Sequence, residues 1–260
     1  MARLPRRLAH DESVTVVEHL DEFRSRLLIA IAALVVAFAG AYIFQHEILR
    51  WLADPLPKAR EGKLVTFGVT EPFFTTVKVV FIAAIAVALP VLLWQLWSFL
   101  APAFEEHAQR IVAMFVCVAT GLFAGGIAFG YYVILPRALG FLTTYNEDLF
   151  QIQVRASYYY SFVAYSLLAI GLIFNLPIFI LALVRLGVLT SATIRRNRRV
   201  GIALVVVGAA LLPTVDPVSL VFETVPLLLL FELSIWASVF FERRWQARGV
   251  LGEPLAGTKV

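Results

Sequence analysis

Ten consecutive residues, Glu18-His19-Leu20-Asp21-Glu22-Phe23-Arg24-Ser25-Arg26-Leu27, carry the densest mixture of acids and bases in this chain. On a helix, Glu22 and Arg26 stand four apart and can pair. Glu18 falls one turn before Glu22 on the same face and leaves surplus negative charge. Two chemistries fit this block. It is a solvated helix start whose acids suit the positive end of the helix dipole, or it is a carboxylate that receives a guanidinium in a planar, charge-assisted contact. Its acids oppose anionic headgroups, so it suits a cationic partner better than a lipid surface.

Two more polar residues stand in apolar surroundings. Glu232 is flanked by Leu227–Phe231 and Leu233–Trp236, where a carboxylate must be neutral, paired or facing water. Asn175, in Ile173-Phe174-Asn175-Leu176-Pro177, is either a local hydrogen-bonding partner at a proline kink or a polar contact for another helix. Catalytic constellations are absent. His10, His19, His46 and His107 lack paired metal-ligand spacing, and Cys117 is a lone cysteine in an apolar run. No nucleophile elbow, phosphate loop or dinucleotide fingerprint occurs, so neither an enzyme, a metal site nor a cofactor is expected. Gly121-x-x-x-Gly125 and Gly126-x-x-x-Gly130 read as close helix packing.

The elements that hold these residues lie in a membrane. Hydrophobic residues make up 60% of the 260, charged residues 15%, and mean hydropathy is +0.84, far from the balance of a soluble domain. Six apolar runs predict an all-α integral membrane protein with spans at about 26–46, 74–99, 110–135, 157–184, 200–214 and 221–240. Residues 1–248 form one domain, and 249–260 read as a disordered tail. The fifth run, Gly201 to Leu212 before Pro213, gives roughly 18 Å of helix against a core of about 30 Å. The fifth and sixth helices are therefore expected to be short, thinning the bilayer, tilting neighbours or admitting water. Six spans put both termini on one side. The N-terminal segment, the 99–110 and 185–199 loops and the tail carry 15 of the 22 basic residues, which makes that side cytoplasmic. The run Arg195-Arg196-Asn197-Arg198-Arg199 is its strongest marker and reads as topology, not as a nucleic-acid patch. Segment 47–73, with Pro55, Pro57 and Gly62, should cap the outer face with short helices.

In order and spacing these residues resemble the TatC family, the polytopic core subunit of the twin-arginine protein translocase. The likeness spans Glu18 to about Phe240. His19-Leu20-x-Glu22-x-Arg24-x-Arg26-Leu27 is similar to the family's N-terminal motif, and Glu71-Pro72-Phe73-Phe74 with Lys78 to its first outer-loop signature. Pro90, Gln95, Trp97, Phe99 and Pro102-Ala103 resemble its second span and following loop. Phe123, Gly126, Phe129, Tyr131 and Pro136 resemble its third span, and Asp216 with Phe231-Glu232 its final hairpin.

The resemblance implies a concave, six-span receptor for the paired arginines of folded export substrates, in the cytoplasmic membrane of a prokaryote. Transport would run on the proton-motive force without nucleotide. The implied partners are twin-arginine signal peptides, small single-span TatA- or TatB-type subunits, further copies of the chain and membrane lipids, with no nucleic acid. Glu22 matches the family's N-terminal signal-binding glutamate, and Glu18 and Arg24 accompany it. The family's second signal-binding glutamate falls on Ala108, and Glu105 and Glu106, just before it, are the candidate substitutes. The polar position of the fourth span is Asn175, which can hydrogen-bond but not ionise. Asn175, Glu232 and Gln95 are expected to offer polar contacts inside the membrane. Pro55, Glu71, Phe73, Phe74, Lys78 and Asp216 are expected to shape the outer loops. The rival reading is a secondary transporter that uses Glu232 as a proton-coupling carboxylate; an intramembrane enzyme ranks far behind.

Overall fold

A backbone in hydrocarbon has no water to bond with, so it satisfies itself as helix, and the apolar runs of this chain do so. The computed structural model describes residues 16–57, 64–100, 108–149, 152–185, 187–211 and 217–247. In order these form α1 Val16–Ile43, α2 Gln45–Ala53, α3 Glu71–Leu100, α4 Ala108–Phe129, α5 Leu135–Thr144, α6 Ala156–Ile173, α7 Leu176–Arg185, α8 Ser191–Arg196, α9 Arg198–Ala210 and α10 Pro217–Ala247. Among the described residues there is no strand, and extended pairing is confined to a parallel bridge between Val65 and Arg155. Five segments are long and apolar enough to cross a membrane: Leu20–Ile43, Glu71–Phe99, Val112–Thr144, Ala156–Arg185 and Leu220–Arg244.

Local sequence explains the joints. Pro177 has no N–H to give the carbonyl one turn back, and the long segment from Ala156 to Arg185 breaks into α6 and α7 at Phe174-Asn175. A π-helical turn, Gly130–Ile134, carries α4 into α5, so the first part of the stretch expected as loop 136–156 is helical. Segment 47–73 does place a short helix, α2, over the bundle. Leu52 and Leu56 are buried there against Tyr131, Leu135 and Tyr159.

α1 leans on α3, α3 packs on α4 and α6, and α10 packs on α7 and α9. The crossing of α4 and α6 is a glycine contact. A Cβ on Gly126 would lie 2.9 Å from the Gly171 Cα, and one on Gly171 would lie 2.7 Å from the Phe123 ring. The Gly126/Gly130 pair is thus the small-residue motif in use, while Gly121 and Gly125 face open space.

The final hairpin corrects one expectation. α9 has 13 residues, about 20 Å of helix, but α10 has 31 and is not short. Its apolar run ends near Phe241, yet Glu242-Arg243-Arg244 are good helix formers and carry the helix on to Ala247. Of the hairpin's two helices, α9 alone falls short of a bilayer's width.

Candidate functional site

The motif at 18–27 lies in the first turns of α1, where it holds both backbone order and free charge. Arg26 donates Nε and Nη2 to the same oxygen of Glu22, Oε1, at 2.9 and 2.5 Å. Glu22 Oε2 has no partner among the described residues, and the carboxylate is partly exposed. Ser25 Oγ donates to the Glu22 carbonyl at 2.8 Å, and Asp21 and Arg24 are exposed. Phe23 meets Phe99, near the end of α3, edge-on with ring centroids 5.8 Å apart. Phe38 likewise meets Phe81 further along, so the two helices are antiparallel and Glu22 sits at the end where α3 stops and α4 starts. Glu18 lies on the α1 backbone. The expectations for Glu105 and Glu106 lie outside the described residues, in the segment 101–107 that joins α3 to α4 at this same end.

At the opposite end Glu71 organises the loops. Its carboxylate accepts Arg155 Nε at 2.8 Å and Nη2 at 3.2 Å, the Phe67 N–H at 2.9 Å and the Ser157 N–H at 3.4 Å. One side chain thereby ties the segment before α3 to the start of α6. The Glu71 carboxylate raises the Arg155 pKa above its ordinary value, so the guanidinium stays charged. The Arg155 guanidinium also lies over the rings of Phe67 and Tyr158, 5.6 and 5.1 Å from their centroids. Lys78 Nζ donates to Ser161 Oγ at 3.1 Å, linking α3 to α6 one level deeper. Phe73 and Phe74 are both exposed and meet edge-on, and Pro55 lies in the turn after α2. Asp216 lies outside the described residues. Two tyrosines pin α2: Tyr131 stacks on Trp51 at 4.1 Å and donates to its carbonyl, and Tyr159 donates to the Leu52 carbonyl, both at 2.8 Å.

The intramembrane polar residues go separate ways. Asn175 Nδ2 donates to the Gly171 carbonyl at 3.1 Å, which accounts for half of its amide. Its Oδ1 is buried without a hydrogen bond, which leaves an acceptor available. Gln95 is half-buried on α3 and makes no hydrogen bond among the described residues. Glu232 accepts Arg198 Nε at 2.7 Å, joining the middle of α10 to the start of α9. No contact connects Asn175 with Glu232.

Three important partners went unremarked in the sequence: Arg155 for Glu71, Arg198 for Glu232, and Glu223. Glu223 is 2% exposed, packed among Phe129, Ile170, Ile173, Phe174 and Leu227. Its neighbours come from the ends of α4 and α6 and the joint before α7, so only tertiary packing shows it to be interior. The two arginines gave no signal, because each lies 34 or more residues from its carboxylate. No group of three or more His, Cys, Asp or Glu side chains capable of holding a metal occurs among the described residues. The geometry therefore offers charge recognition at the Glu22 end and a tied cap of loops at the opposite end.

Known proteins resemble this chain in sequence and fold. Residues 18–226 match the family described as Sec-independent protein translocase protein (TatC). The Sec-independent protein translocase protein TatC of Helicobacter pylori (strain J99 / ATCC 700824) is 33% identical over 217 residues, covering 84% of this chain and 86% of its own length. TatCd of Bacillus subtilis (strain 168) is 32% identical over 229 residues, covering 88% and 93%. A crystal structure of the twin arginine translocase receptor TatC in DDM superimposes with a TM-score of 0.75 at 32% identity, covering 85% of this chain and 99% of the other.

Proposed function

The chain belongs to the TatC family of Sec-independent protein translocase proteins, and from that premise we propose that it is the receptor for twin-arginine signal peptides and the core through which folded proteins leave the cytoplasm. As a family member it is a membrane component of a bacterial protein translocase, not an enzyme of the ordinary kind, and it works in a complex with other Tat subunits. The finer reading places it in the cytoplasmic membrane with six spans around a concave face, α9 serving as the short fifth. Both termini are cytoplasmic, and the proton-motive force drives transport. The excess of basic residues at the Glu22 end supports that orientation. Partners in this reading are small single-span TatA- or TatB-type subunits and further copies of the chain.

The observation that carries the proposal is the half-engaged Glu22. Its Oε1 is taken by Arg26 and its Oε2 has no partner among the described residues, on a partly exposed carboxylate held at the end of α1 by the Phe23–Phe99 contact. A signal guanidinium fits such a group, and a charge-assisted contact of this kind contributes on the order of 1.5–3 kcal/mol. Glu18, Arg24 and Glu105 or Glu106 complete the site in this reading. The Asn175 acceptor and Gln95 serve partner helices. Glu232, already paired with Arg198, supports a structural role better than that of a proton carrier.

Site-specific photo-crosslinking in native membranes tests this, with probes at positions 22 and 105 and twin-arginine and twin-lysine signal peptides. Crosslinks at both positions that are lost with twin lysine are the expected result. A crosslink at position 22 alone removes Glu105 from the site. Equal labelling by both peptides overturns the carboxylate assignment.

A further inference from the structure

The inequality of α9 and α10 leaves a notch at the Glu22 end of the molecule. Ser191, at the start of α8, donates its N–H to Glu242 Oε2 at 2.9 Å, and Arg198, at the start of α9, meets Glu232. Glu242 and Glu232 are ten residues apart on the same helix, roughly 15 Å. The chain from 191 to 198 therefore descends along α10 from its charged end toward the middle of its length, carrying Arg195, Arg196, Arg198 and Arg199 down with it. Above the Arg198–Glu232 pair α9 no longer covers α10, and Trp236, Phe240, Arg243 and Arg244 are exposed, with Arg244 4.5 Å over the Phe240 ring.

Charge in this notch is unbalanced. Arg195, Arg196, Arg198, Arg199, Arg243 and Arg244 are all exposed, and among the described residues only Arg198 is paired with a carboxylate. Below the arginines, α9 divides into two faces. Gly201, Val205 and Ala209 pack on α10, whereas Val200, Leu204, Val207 and Leu211, spaced four, three and four residues apart, form one exposed apolar stripe. Guanidiniums at the top of an apolar stripe about 16 Å long call for an amphiphilic anion. A water-soluble phosphate would satisfy the arginines and leave the stripe bare. An anionic peptide would satisfy neither the stripe nor the depth.

We infer that this notch is a binding site for an anionic phospholipid. Its headgroup phosphate sits among Arg195, Arg196, Arg199 and Arg243, and its acyl chains lie along Val200, Leu204, Val207 and Leu211. The lipid is drawn below the level of its neighbours because the arginines that hold it lie below the charged end of α10. The inference is independent of signal recognition at Glu22.

Full-length protein in nanodiscs of mixed phosphatidylglycerol and phosphatidylcholine, each carried in turn as a photoactivatable analogue, tests the site. Peptide mapping by mass spectrometry should place phosphatidylglycerol labelling in 199–211 and 236–244 and exceed phosphatidylcholine labelling severalfold. Each arginine at an anionic headgroup contributes a factor of roughly fivefold. The R195Q/R196Q/R199Q variant should therefore lose the preference, while R195K/R196K/R199K, with charge retained, keeps most of it. Raising ionic strength on the unaltered protein should weaken the preference without any substitution. Equal labelling by the two lipids, a preference indifferent to salt, or a preference mapped to the opposite end near Arg137 and Arg155 would overturn the assignment.

Discussion

Arg26 places both Nε and Nη2 on a single oxygen of Glu22, and the other oxygen has no partner among the described residues. The carboxylate proposed to receive a signal arginine thus already holds one of its own. An exposed pair at this helical spacing contributes only about 0.3–0.5 kcal/mol, so an incoming guanidinium can displace it or share it.

Removing the internal competitor should favour the substrate slightly. Arg26→Gln is expected to raise twin-arginine peptide affinity about twofold, and Arg26→Lys to leave it unchanged, read by fluorescence anisotropy on the nanodisc-held protein. Glu22→Gln should weaken binding by roughly tenfold to a hundredfold, the worth of one charge-assisted contact. A tenfold loss of affinity in Arg26→Gln would instead make Arg26 part of the receiving site.

The outer cap hangs on Glu71, which bonds Arg155, Phe67 and Ser157 at once. Glu71→Gln and Arg155→Gln are each expected to speed chymotryptic cleavage after Phe67, whose N–H the carboxylate holds. The double variant should be no worse than either single one, because both break one network. Additive effects would mean the two side chains act separately.

Gly201 crosses Phe231 so closely that an added Cβ would lie 2.2 Å from the ring's Cζ. Gly201→Ala should destabilise the α9–α10 hairpin by roughly 1–3 kcal/mol, the cost of overpacking. Thermal unfolding in detergent reads this, and Phe231→Leu in the same chain should restore part of the loss. An unchanged melting temperature in Gly201→Ala would show that the helices can separate freely.

Tyr131 and Tyr159 each give one hydroxyl to the backbone of α2. Tyr131→Phe keeps the stack on Trp51 and loses one hydrogen bond, about 1 kcal/mol; Tyr159→Phe loses the same. Thiol labelling of Leu56→Cys should accelerate modestly in each and most in the double variant. No change in the double variant would place the anchoring of α2 in apolar packing alone.

Reading along the chain determined what depends on neighbours in sequence. Apolar runs of span length can only be helix in hydrocarbon, and α9 is visibly too short from the residues before Pro213 alone. The i,i+4 pairing of Glu22 with Arg26 and the kink at Asn175-Leu176-Pro177 are set by the 3.6-residue turn and by proline's missing donor. The ordered motifs from Glu18 to Glu232 were enough to point to the family.

Tertiary structure decided whatever depends on which helices meet. Glu71 finds Arg155 and Glu232 finds Arg198 across 84 and 34 residues, and no periodicity encodes such pairs. Glu223 is interior because the ends of α4 and α6 close over it, which its neighbours in sequence do not encode. Of two consecutive glycine motifs, the crossing of α4 with α6 chose Gly126 and Gly130 over Gly121 and Gly125. The extra length of α10 beside a short α9 is a local property of each helix, but their antiparallel contact is what brings the arginine run down to the middle of α10.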